Sequence, residues 1–217
     1  MTYLADVSTT VRFVEYPWIM TRLDRLCATI LDIGCWDSLF PIMLASVGHS
    51  VTGVDIRDYP YTHKNFTFIQ GDIMDIGTFR AGESNIINQL GRFDAVTLVS
   101  VLEHVGLGNR MVWDADESLM KLISRNLLAE HGRVFVTVPC GLPKLIAREP
   151  GGQPWFRTYN RSTLNALAYW ADMEIVDCEY FAQNGTTFER IPEELGNKLQ
   201  NPDVAMVARG VVCVEFA

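Results

Sequence analysis

The stretch that most constrains the fold is 29–55, with the sequence TILDIGCWDSLFPIMLASVGHSVTGVD. It begins with an apolar run to Ile33, passes through a turn at Gly34 into a helix over 39–47, and ends in a second apolar run that stops at Asp55. A strand, a tight turn, a helix and a second strand in this order predict a βαβ unit with two parallel strands. The carboxylate that ends the second strand suits hydrogen bonds from two neighbouring hydroxyls of a ligand.

The rest of the chain continues the alternation of strands and helices. Further strands are predicted at 66–70, 93–99, 134–138, 174–181 and 204–216, and further helices at 83–90, 114–129 and 160–170. This alternation is typical of an α/β fold with an open, doubly wound, mostly parallel sheet and helices on both faces. The sheet would have about seven strands. Because the final two have no helix between them, we expect an antiparallel last strand that forms a hairpin pair at one edge.

Composition favours a compact domain and argues against nucleic-acid, metal and membrane partners. The chain has 217 residues, of which 48% are hydrophobic, and a formal net charge of -8. We expect no nucleic-acid partner, because phosphate binding requires a clustered basic surface. The five cysteines are scattered without CxxC spacing, so we predict no metal site and expect a cytoplasmic setting. The N-terminus does not have the pattern of a signal peptide, and no apolar run has the length of a membrane span, so we expect no membrane partner.

Two segments fall outside the alternation. Residues 1–27 form an N-terminal appendage, in which Phe13, Tyr16 and Trp18 precede a short predicted helix that ends near residue 26. Two interpretations of the three aromatic side chains stay open: they pack the appendage on the main domain, or they line a lid over a ligand. The segment 139–158 is rich in Gly and Pro, and such a long irregular connection is usually functional or disordered. We predict an inserted loop there, on the side of a substrate.

Polar residues recur where four predicted strands end. They follow the first strand at 32–38, the second at 55–56, the third at 72–73 and the fourth at 100–104. In open α/β sheets, ligands bind beyond the carboxyl ends of the strands, where the strand order reverses. Four polar strand ends in series therefore predict one ligand site at this edge of the sheet.

The motifs at these strand ends resemble those of class I S-adenosylmethionine-dependent methyltransferases. The matching pieces are ILDIGC (30–35), VTGVDI (51–56), FIQGDI (68–73), FDAVTLVSVLEHV (93–105) and GRVFVTVP (132–139). They cover about 28–139 in the order of that family. The resemblance implies a Rossmann-like fold with a single methyltransferase domain over 28–217. It also implies S-adenosylmethionine as the cofactor and S-adenosylhomocysteine as the product.

The resemblance further implies which residues bind the cofactor. The backbone around Gly34 would approach the methionine part, and Ser100 and Val101 would lie beside it. Asp32, Cys35 and Trp36 of the first strand end are further candidates for cofactor binding. The ribose hydroxyls would bind Asp55. The adenine amino group would bind Asp72, while Ile73 donates from its backbone and Ile56 packs on the ring.

The turn after the first strand departs from the family pattern Asp-x-Gly-x-Gly-x-Gly. Gly34 is kept, but Trp36 and Ser38 stand where the pattern has glycine. Positive φ and close ligand approach favour glycine, so we expect Trp36 to take an ordinary φ and either to point away or to cover the ligand. We expect Ser38 to cap the next helix. The same loss argues against a dinucleotide enzyme, because pyrophosphate needs Gly-x-Gly-x-x-Gly, and Asp37 would repel it.

Glu103 and His104 follow the fourth strand. His104 is the candidate for catalysis, whereas Glu103 would orient a loop or the cofactor's amino group. In some small-molecule O-methyltransferases of the resembling family this histidine is a general base, a task that suits a pKa near neutrality. The alternative for His104 is a structural hydrogen bond. Candidates for acceptor binding are Glu103 and four residues in or beside the inserted segment, namely Arg148, Trp155, Arg157 and Tyr159. For Arg157 and Tyr159, the alternative is that they only anchor the loop.

Three hypotheses follow for the function. The first is a methyltransferase for a small-molecule acceptor, which attacks the methyl group in line with the departing sulfur, an SN2 displacement helped by positioning and desolvation. The second is a protein that binds S-adenosylmethionine or S-adenosylhomocysteine without transferase activity, in a regulatory or assembly role, and Trp36 and Ser38 support it. The third is an NAD-dependent dehydrogenase, which the lost glycines disfavour.

Overall fold

The fold was analysed in a computed structural model that describes residues 11–23, 28–74, 86–108, 111–205 and 208–217. The strands are β1 Thr29–Ile33, β2 Ser50–Asp55, β3 Phe66–Gln70, β4 Phe93–Val99, β5 Leu128–Pro139, β6 Leu145–Ala147, β7 Pro154–Arg157, β8 Ile175–Asn184, β9 Thr187–Ile191 and β10 Gly210–Phe216. The helices are α1 Arg12–Met20, α2 Phe40–Ser46, α3 Ile86–Gln89, α4 Ala115–Leu122, α5 Arg161–Ala171 and α6 Glu193–Gly196. A short 3-10 helix covers Leu102–His104, and a π-helical segment over Ile123–Leu127 extends α4.

Eight strands form one sheet in the order β3-β2-β1-β4-β5-β10-β8-β9. The first five strands are parallel, and β10 runs antiparallel to both β5 and β8. The Rossmann-like, mostly parallel α/β sheet with an antiparallel last strand is therefore confirmed. The strand order reverses between β1 and β4, and this crossover is where an open sheet of this type forms a ligand crevice.

The far edge of the sheet differs from the predicted one. The sheet has an eighth strand, β9, within a stretch that the sequence predicts to be polar and turn-rich. The predicted edge hairpin of the last two strands is wrong, because β10 lies between β5 and β8, and the edge hairpin is β8–β9. All seven residues of β10 are buried, so this strand needs a neighbour on each side, whereas β9 is largely exposed.

The inserted segment is more regular than the sequence predicts. Within 139–158, β6 and β7 form a two-stranded antiparallel sheet with Ile146 opposite Phe156. Both side chains are buried, and Gly151, Gly152 and Pro150 lie in the connection between the strands. The apolar pair therefore folds the segment into a hairpin instead of an irregular loop.

The N-terminal helix α1 begins and ends earlier than predicted. It contains Tyr16 and Trp18, which the sequence places before a helix, and the predicted helix end at residue 26 lies outside the described residues. Trp18 and Ile19 are buried in a cluster with Phe40 of α2, and the Tyr16 ring stacks on the Phe40 ring at 4.7 Å. These contacts pack α1 on the main domain. The described helices include none with the length and apolar character of a membrane span.

Candidate cofactor site

A cavity of about 540 Å³ opens at the carboxyl ends of β1 to β4. This volume lies within the range of small-molecule and cofactor pockets, about 300–1,000 Å³. The predicted residues in its wall from β1, β2 and β3 are Asp32, Gly34, Trp36, Asp55, Ile56, Asp72 and Ile73. Those from the turn after β4 and from the β6–β7 hairpin are Ser100, Val101, His104 and Trp155. The fold thus brings eleven of the predicted positions to one cavity.

Asp55, at the end of β2, is held by two backbone donors. The N–H of Trp36 donates to Oδ2 at 2.9 Å, and the N–H of Arg57 donates to Oδ1 at 2.8 Å. The carboxylate is largely buried, and each oxygen keeps lone-pair capacity for a further donor. Two preorganised acceptor oxygens suit a pair of vicinal hydroxyls.

The Trp36 side chain forms part of the cavity wall. Its φ is not positive, as expected from its Cβ, and Asp37 takes the positive φ of 45° in this turn instead. The Arg57 guanidinium lies 4.0 Å from the centre of the Trp36 ring, a cation–π stack. The ring stays 48% exposed and lines the cavity beside Asp55. Trp36 and Arg57 therefore form a flat wall where the family pattern has a glycine turn.

Gly34 and Ser100 both have backbone conformations that side chains disfavour. Gly34 has a φ of 75°, and a Cβ there would collide with the Val101 side chain. Ser100 has a φ of 53°, although it is not glycine. Such strain persists only where the surroundings hold it and is common at functional sites. The two strand ends consequently meet closely on the cavity floor.

Asp32 lies on the cavity wall but is almost completely buried. Burial raises the pKa of Asp32 to about 7, while a hydrogen bond from Thr97 and the charge of Arg12 lower it. The Thr97 hydroxyl donates to Asp32 Oδ1 at 2.6 Å. Asp32 is therefore tied to β4 and titrates near neutral pH.

The end of β3 gives the cavity an edge with mixed polarity. Asp72 is exposed, and its Oδ1 accepts a hydrogen bond of 2.9 Å from the N–H of Met74. Ile73 is buried, whereas Ile56, which follows the neighbouring strand β2, is 64% exposed. An exposed apolar side chain and a carboxylate at neighbouring strand ends suit a planar base with a polar amino group.

His104 and Trp155 form the opposite wall. The His104 Nδ1 lies 2.6 Å from the Trp155 carbonyl oxygen, and the two ring centres are 4.8 Å apart. Because a carbonyl only accepts, this bond places a proton on Nδ1 and leaves the lone pair of the neutral ring on Nε2. Burial lowers the pKa of His104, while the bond to the carbonyl raises it, and the balance lies below the usual value.

The other predicted residues do not line the cavity. Cys35 is buried, and its pKa is raised, chiefly by burial. Glu103 is also buried, one of its oxygens lacks a hydrogen-bond partner among the described residues, and burial raises its pKa to about 8. The Arg148 guanidinium lies 5.3 Å from the centre of the Trp155 ring.

Arg157 and Tyr159 belong to a buried polar cluster instead of the cavity wall. Arg157 forms an ion pair of 3.2 Å with Asp116 of α4 and donates to the Val105 carbonyl at 2.9 Å. The Tyr159 hydroxyl donates to Asp116 at 2.8 Å. Both side chains thus anchor the end of the β6–β7 hairpin to α4 and to the turn after β4.

Two arginines in the cavity wall, Arg12 and Arg57, were not predicted from the sequence. Arg57 lies two residues after Asp55, so an inspection of the whole β2 end would have found it. Arg12 lies in α1, and nothing in its spacing from the strand motifs indicates that it reaches the cavity. Its side chain is 38% exposed and pairs with Glu15 at 2.6 Å.

The wall residues fit S-adenosylmethionine. Asp55 offers acceptor oxygens for ribose hydroxyls, and the exposed Ile56 offers an apolar face for a base. Gly34 and Ser100 bring backbone close to the cavity at the β1 and β4 ends. Three acidic side chains in the wall suit a positively charged sulfur and oppose a pyrophosphate.

The sequence relatives of the chain include O-methyltransferases. The ubiquinone biosynthesis O-methyltransferase of Pseudomonas paraeruginosa is 26% identical over 168 residues, which is 74% of this chain and 70% of that protein. The enzyme of the same name from Xanthomonas oryzae pv. oryzae is 29% identical over 92 residues, 42% of this chain and 38% of that protein. No family model matches the chain.

Solved structures show the same fold. The 1,6-didemethyltoxoflavin-N1-methyltransferase of Burkholderia thailandensis, crystallised with S-adenosylhomocysteine, has a TM-score of 0.64 at 17% identity and covers 98% of this chain and 78% of that chain. A methyltransferase from Methanosarcina mazei has a TM-score of 0.59 at 17% identity and covers 93% of this chain and 96% of that chain. The chain is therefore similar in sequence to O-methyltransferases and shares the fold of S-adenosylmethionine-dependent methyltransferases.

Proposed function

We propose that the enzyme methylates a hydroxyl oxygen of a small aromatic acceptor, with His104 as the general base. The observation that carries the proposal is the His104–Trp155 pair, in which the hydrogen bond to the carbonyl leaves Nε2 as a proton acceptor beside an aromatic ring. The name O-methyltransferase of the sequence relatives supports oxygen as the methylated atom.

The cofactor residues divide the cavity into three parts. Asp55 binds the ribose hydroxyls, and Asp72, Ile73 and Ile56 bind the adenine. The amino-acid end is bound around Gly34, Ser100 and Val101, with Asp32, Cys35 and Trp36 shaping the turn. Support comes from the two backbone donors that fix Asp55 and from the close approach of the β1 and β4 ends.

Arg12 binds the carboxylate of the amino-acid end. A guanidinium prefers carboxylate partners, and Arg12 shares the wall of the cavity with Ser100 and Gly34. When bound, S-adenosylmethionine supplies a methyl group on a positively charged sulfur, which the acceptor displaces in line to give S-adenosylhomocysteine. The chain contributes by holding the acceptor in that line and by excluding water.

His104 removes the proton from the acceptor hydroxyl. Its lowered pKa keeps the ring neutral at pH 7, so that Nε2 is free to accept a proton. Nε2 lies 3.9 Å from Glu103 Oε1, so the imidazolium formed in the step would lie beside an oxygen of that carboxyl group, which favours the charged ring.

The hairpin side of the cavity binds the acceptor. The Trp155 and His104 rings offer aromatic faces, and the Arg148 cation next to Trp155 favours an acceptor that carries an anionic group. Arg157 and Tyr159 act through the anchoring of the hairpin to α4. In the same proposal, α1 of the N-terminal appendage covers the site as a lid, since it supplies Arg12 to the wall.

Methyl transfer from radiolabelled S-adenosylmethionine tests the proposal. Catechol and 3,4-dihydroxybenzoate are the probe acceptors, benzoate is the control without a hydroxyl, and aniline tests nitrogen. We expect label in the methyl ethers of the hydroxylated probes alone. Label in aniline only would overturn the choice of oxygen. Binding of S-adenosylhomocysteine without transfer to any probe would favour a binding protein without transferase activity.

The remaining parts of the proposal concern location and other partners. The cysteines of the described residues, Cys35, Cys140, Cys178 and Cys213, are free thiols, which supports a reducing, cytoplasmic setting. The net charge of -8 supports a small molecule, and not a nucleic acid, as the acceptor.

A further inference from the structure

Glu15 of α1 is a charged residue that is completely buried. Its Oε1 accepts hydrogen bonds of 2.7 Å from the Ser100 hydroxyl and 2.7 Å from the Thr137 hydroxyl. Its Oε2 pairs with the Arg12 guanidinium at 2.6 Å. A buried carboxylate is costly unless it is fully paired, and here both oxygens have partners from α1, the β4 end and β5.

The hydroxyl partners of Glu15 form a closed ring with the backbone. The N–H of Ser100 donates to the Thr137 hydroxyl oxygen at 3.1 Å, and both hydroxyls donate onward to Glu15. This ring encloses the residue with the positive φ of 53°. A left-handed conformation is unfavourable for a residue that carries a side chain, so it needs such support.

The other oxygen of Glu15 orients a residue of the cavity wall. Arg12 and Glu15 lie one helical turn apart on α1, so the ion pair fixes the direction of the guanidinium. Arg12 and Ser100 both line the cavity, whereas the carboxylate that links them is buried behind it. Glu15 thus joins two wall residues that are 88 positions apart in sequence without itself reaching the ligand.

We propose that Glu15 is a positioning residue for the amino-acid end of the cofactor, because it aims Arg12 and holds the Ser100 backbone. The inference rests on the proposed binding of that end by Arg12 and Ser100. It assigns α1 a role in affinity for the amino-acid part of the ligand, beyond the packing that Trp18 and Ile19 provide. A purely structural role for Glu15 would weaken the docking of α1 and affect all ligands alike.

Two ligands separate these roles. S-adenosylhomocysteine has the amino-acid end, and 5′-methylthioadenosine has the same adenosine and sulfur without it. Glu15→Gln keeps an acceptor oxygen for the two hydroxyls but turns an amide donor toward Arg12. Calorimetric titration should show S-adenosylhomocysteine weakened about tenfold and 5′-methylthioadenosine weakened less than about twofold, as expected when one charge-assisted bond is lost.

Two further variants guard against loss of folding as an explanation. Arg12→Met should weaken S-adenosylhomocysteine by a similar factor, and adding Glu15→Gln to it should cause little further loss, because the two act as a unit. Arg22→Met is the control, since Arg22 anchors the same segment through Asp177 at 2.6 Å, away from the cavity. It should lower the melting temperature and leave the ratio of the two affinities unchanged.

The outcomes distinguish this inference from the cofactor proposal. Wild-type protein that binds neither ligand would overturn both. Wild-type protein that binds S-adenosylhomocysteine, together with a Glu15→Gln variant that weakens both ligands equally or neither, would overturn the role of Glu15 alone.

Discussion

The adenosine side of the cavity is formed by the ends of β1, β2 and β3, which follow one another along the chain and lie side by side in the sheet. The opposite side collects residues from α1, the turn after β4 and the β6–β7 hairpin, which are far apart in sequence. On the first side, Asp55 is fixed by the backbone N–H groups of Trp36 and Arg57, which belong to the same βαβ unit and are 19 and 2 residues away. On the second, Glu15 and His104 are fixed by partners 85 and 51 residues away.

This difference separates two kinds of preorganisation. The hydrogen bonds of Asp55 lie within one βαβ unit and form when that unit forms. The contacts of the opposite side exist only once α1 and the hairpin have docked on the sheet. Substitutions of the adenosine side and of the α1 pair Arg12 and Glu15 should therefore change cofactor affinity, whereas those of the His104–Trp155 pair should change turnover of the acceptor.

The largest expected effect is on turnover, from His104→Ala. Loss of a general base should lower kcat by about 100-fold or more and leave the affinity for S-adenosylhomocysteine within about twofold. The same change at His131, whose side chain is 92% exposed, is the matched control. Turnover is measured with 3,4-dihydroxybenzoate at saturating cofactor. Unchanged kcat would mean that positioning alone accounts for catalysis on this side.

The fall of kcat at acid pH tests the same role of His104. Because burial lowers the pKa of His104, the neutral base persists to lower pH than for a free histidine. We expect kcat to stay level at pH 7 and to fall only below about pH 6.5. The Ala variant should lack this fall. A fall that survives the substitution would assign the titration to another group.

Asp55→Ala should have the next largest effect, on affinity. It removes a charged acceptor and leaves the N–H groups of Trp36 and Arg57 without their partner, so we expect a loss of about 2 kcal/mol, or about 30-fold, in S-adenosylhomocysteine binding. Asp58→Ala, in the same loop, is the control, because Asp58 bonds only to the adjacent N–H of Tyr59 among its described contacts. Equal losses in both variants would contradict the ribose role.

Trp36→Gly restores the glycine of the family pattern and should have a smaller effect. Loss of the stack with Arg57 and of the apolar wall should weaken S-adenosylhomocysteine by about 1 kcal/mol, or about fivefold. Trp36→Phe keeps an aromatic face and should retain most of the affinity. Tighter binding by the Gly variant would show that Trp36 obstructs the site.

Glu103→Gln should have the smallest effect on the site itself and should act on the pH dependence of stability between about pH 4.5 and pH 8. Burial raises the pKa of Glu103 to about 8, above its usual value of 4.5, so the folded state holds a proton that the unfolded state has lost. The stabilisation is complete below about pH 4.5 and disappears as the pH rises to about 8. The melting temperature, measured at pH 5, 7 and 9, should fall less steeply with rising pH in the variant than in the wild type.

Glu130→Gln serves as the control for this series, because the Glu130 side chain is 91% exposed. Its melting temperature should follow that of the wild type at each pH. Part of the slope in the Glu103→Gln variant comes from Asp32, whose pKa is raised to about 7 and which loses stabilisation over an overlapping range. Identical slopes in the wild type and the Glu103→Gln variant would contradict a raised pKa at Glu103.

The sequence by itself determined the adenosine side of the cavity and the parallel half of the sheet. The apolar runs of β1, β2 and β4 are long enough to specify buried strands, and residues at their ends, such as Asp55 and Asp72, follow from topology. These features rest on local periodicity and on the rule that parallel strands end at one edge. Both can be read from neighbouring residues.

Only the tertiary structure decided the rest. In it, β10 lies between β5 and β8, Arg157 pairs with the buried Asp116, and Glu15 contacts Ser100 at the β4 end. Each of these contacts joins segments that are far apart along the chain, and no sequence pattern relates their positions. Their contacts therefore depend on how α1, the hairpin and the last strand cover the remaining apolar surface. Packing therefore decided the acceptor side and the α1 contacts at the amino-acid end of the cofactor, whereas the ends of the strands decided the adenosine side.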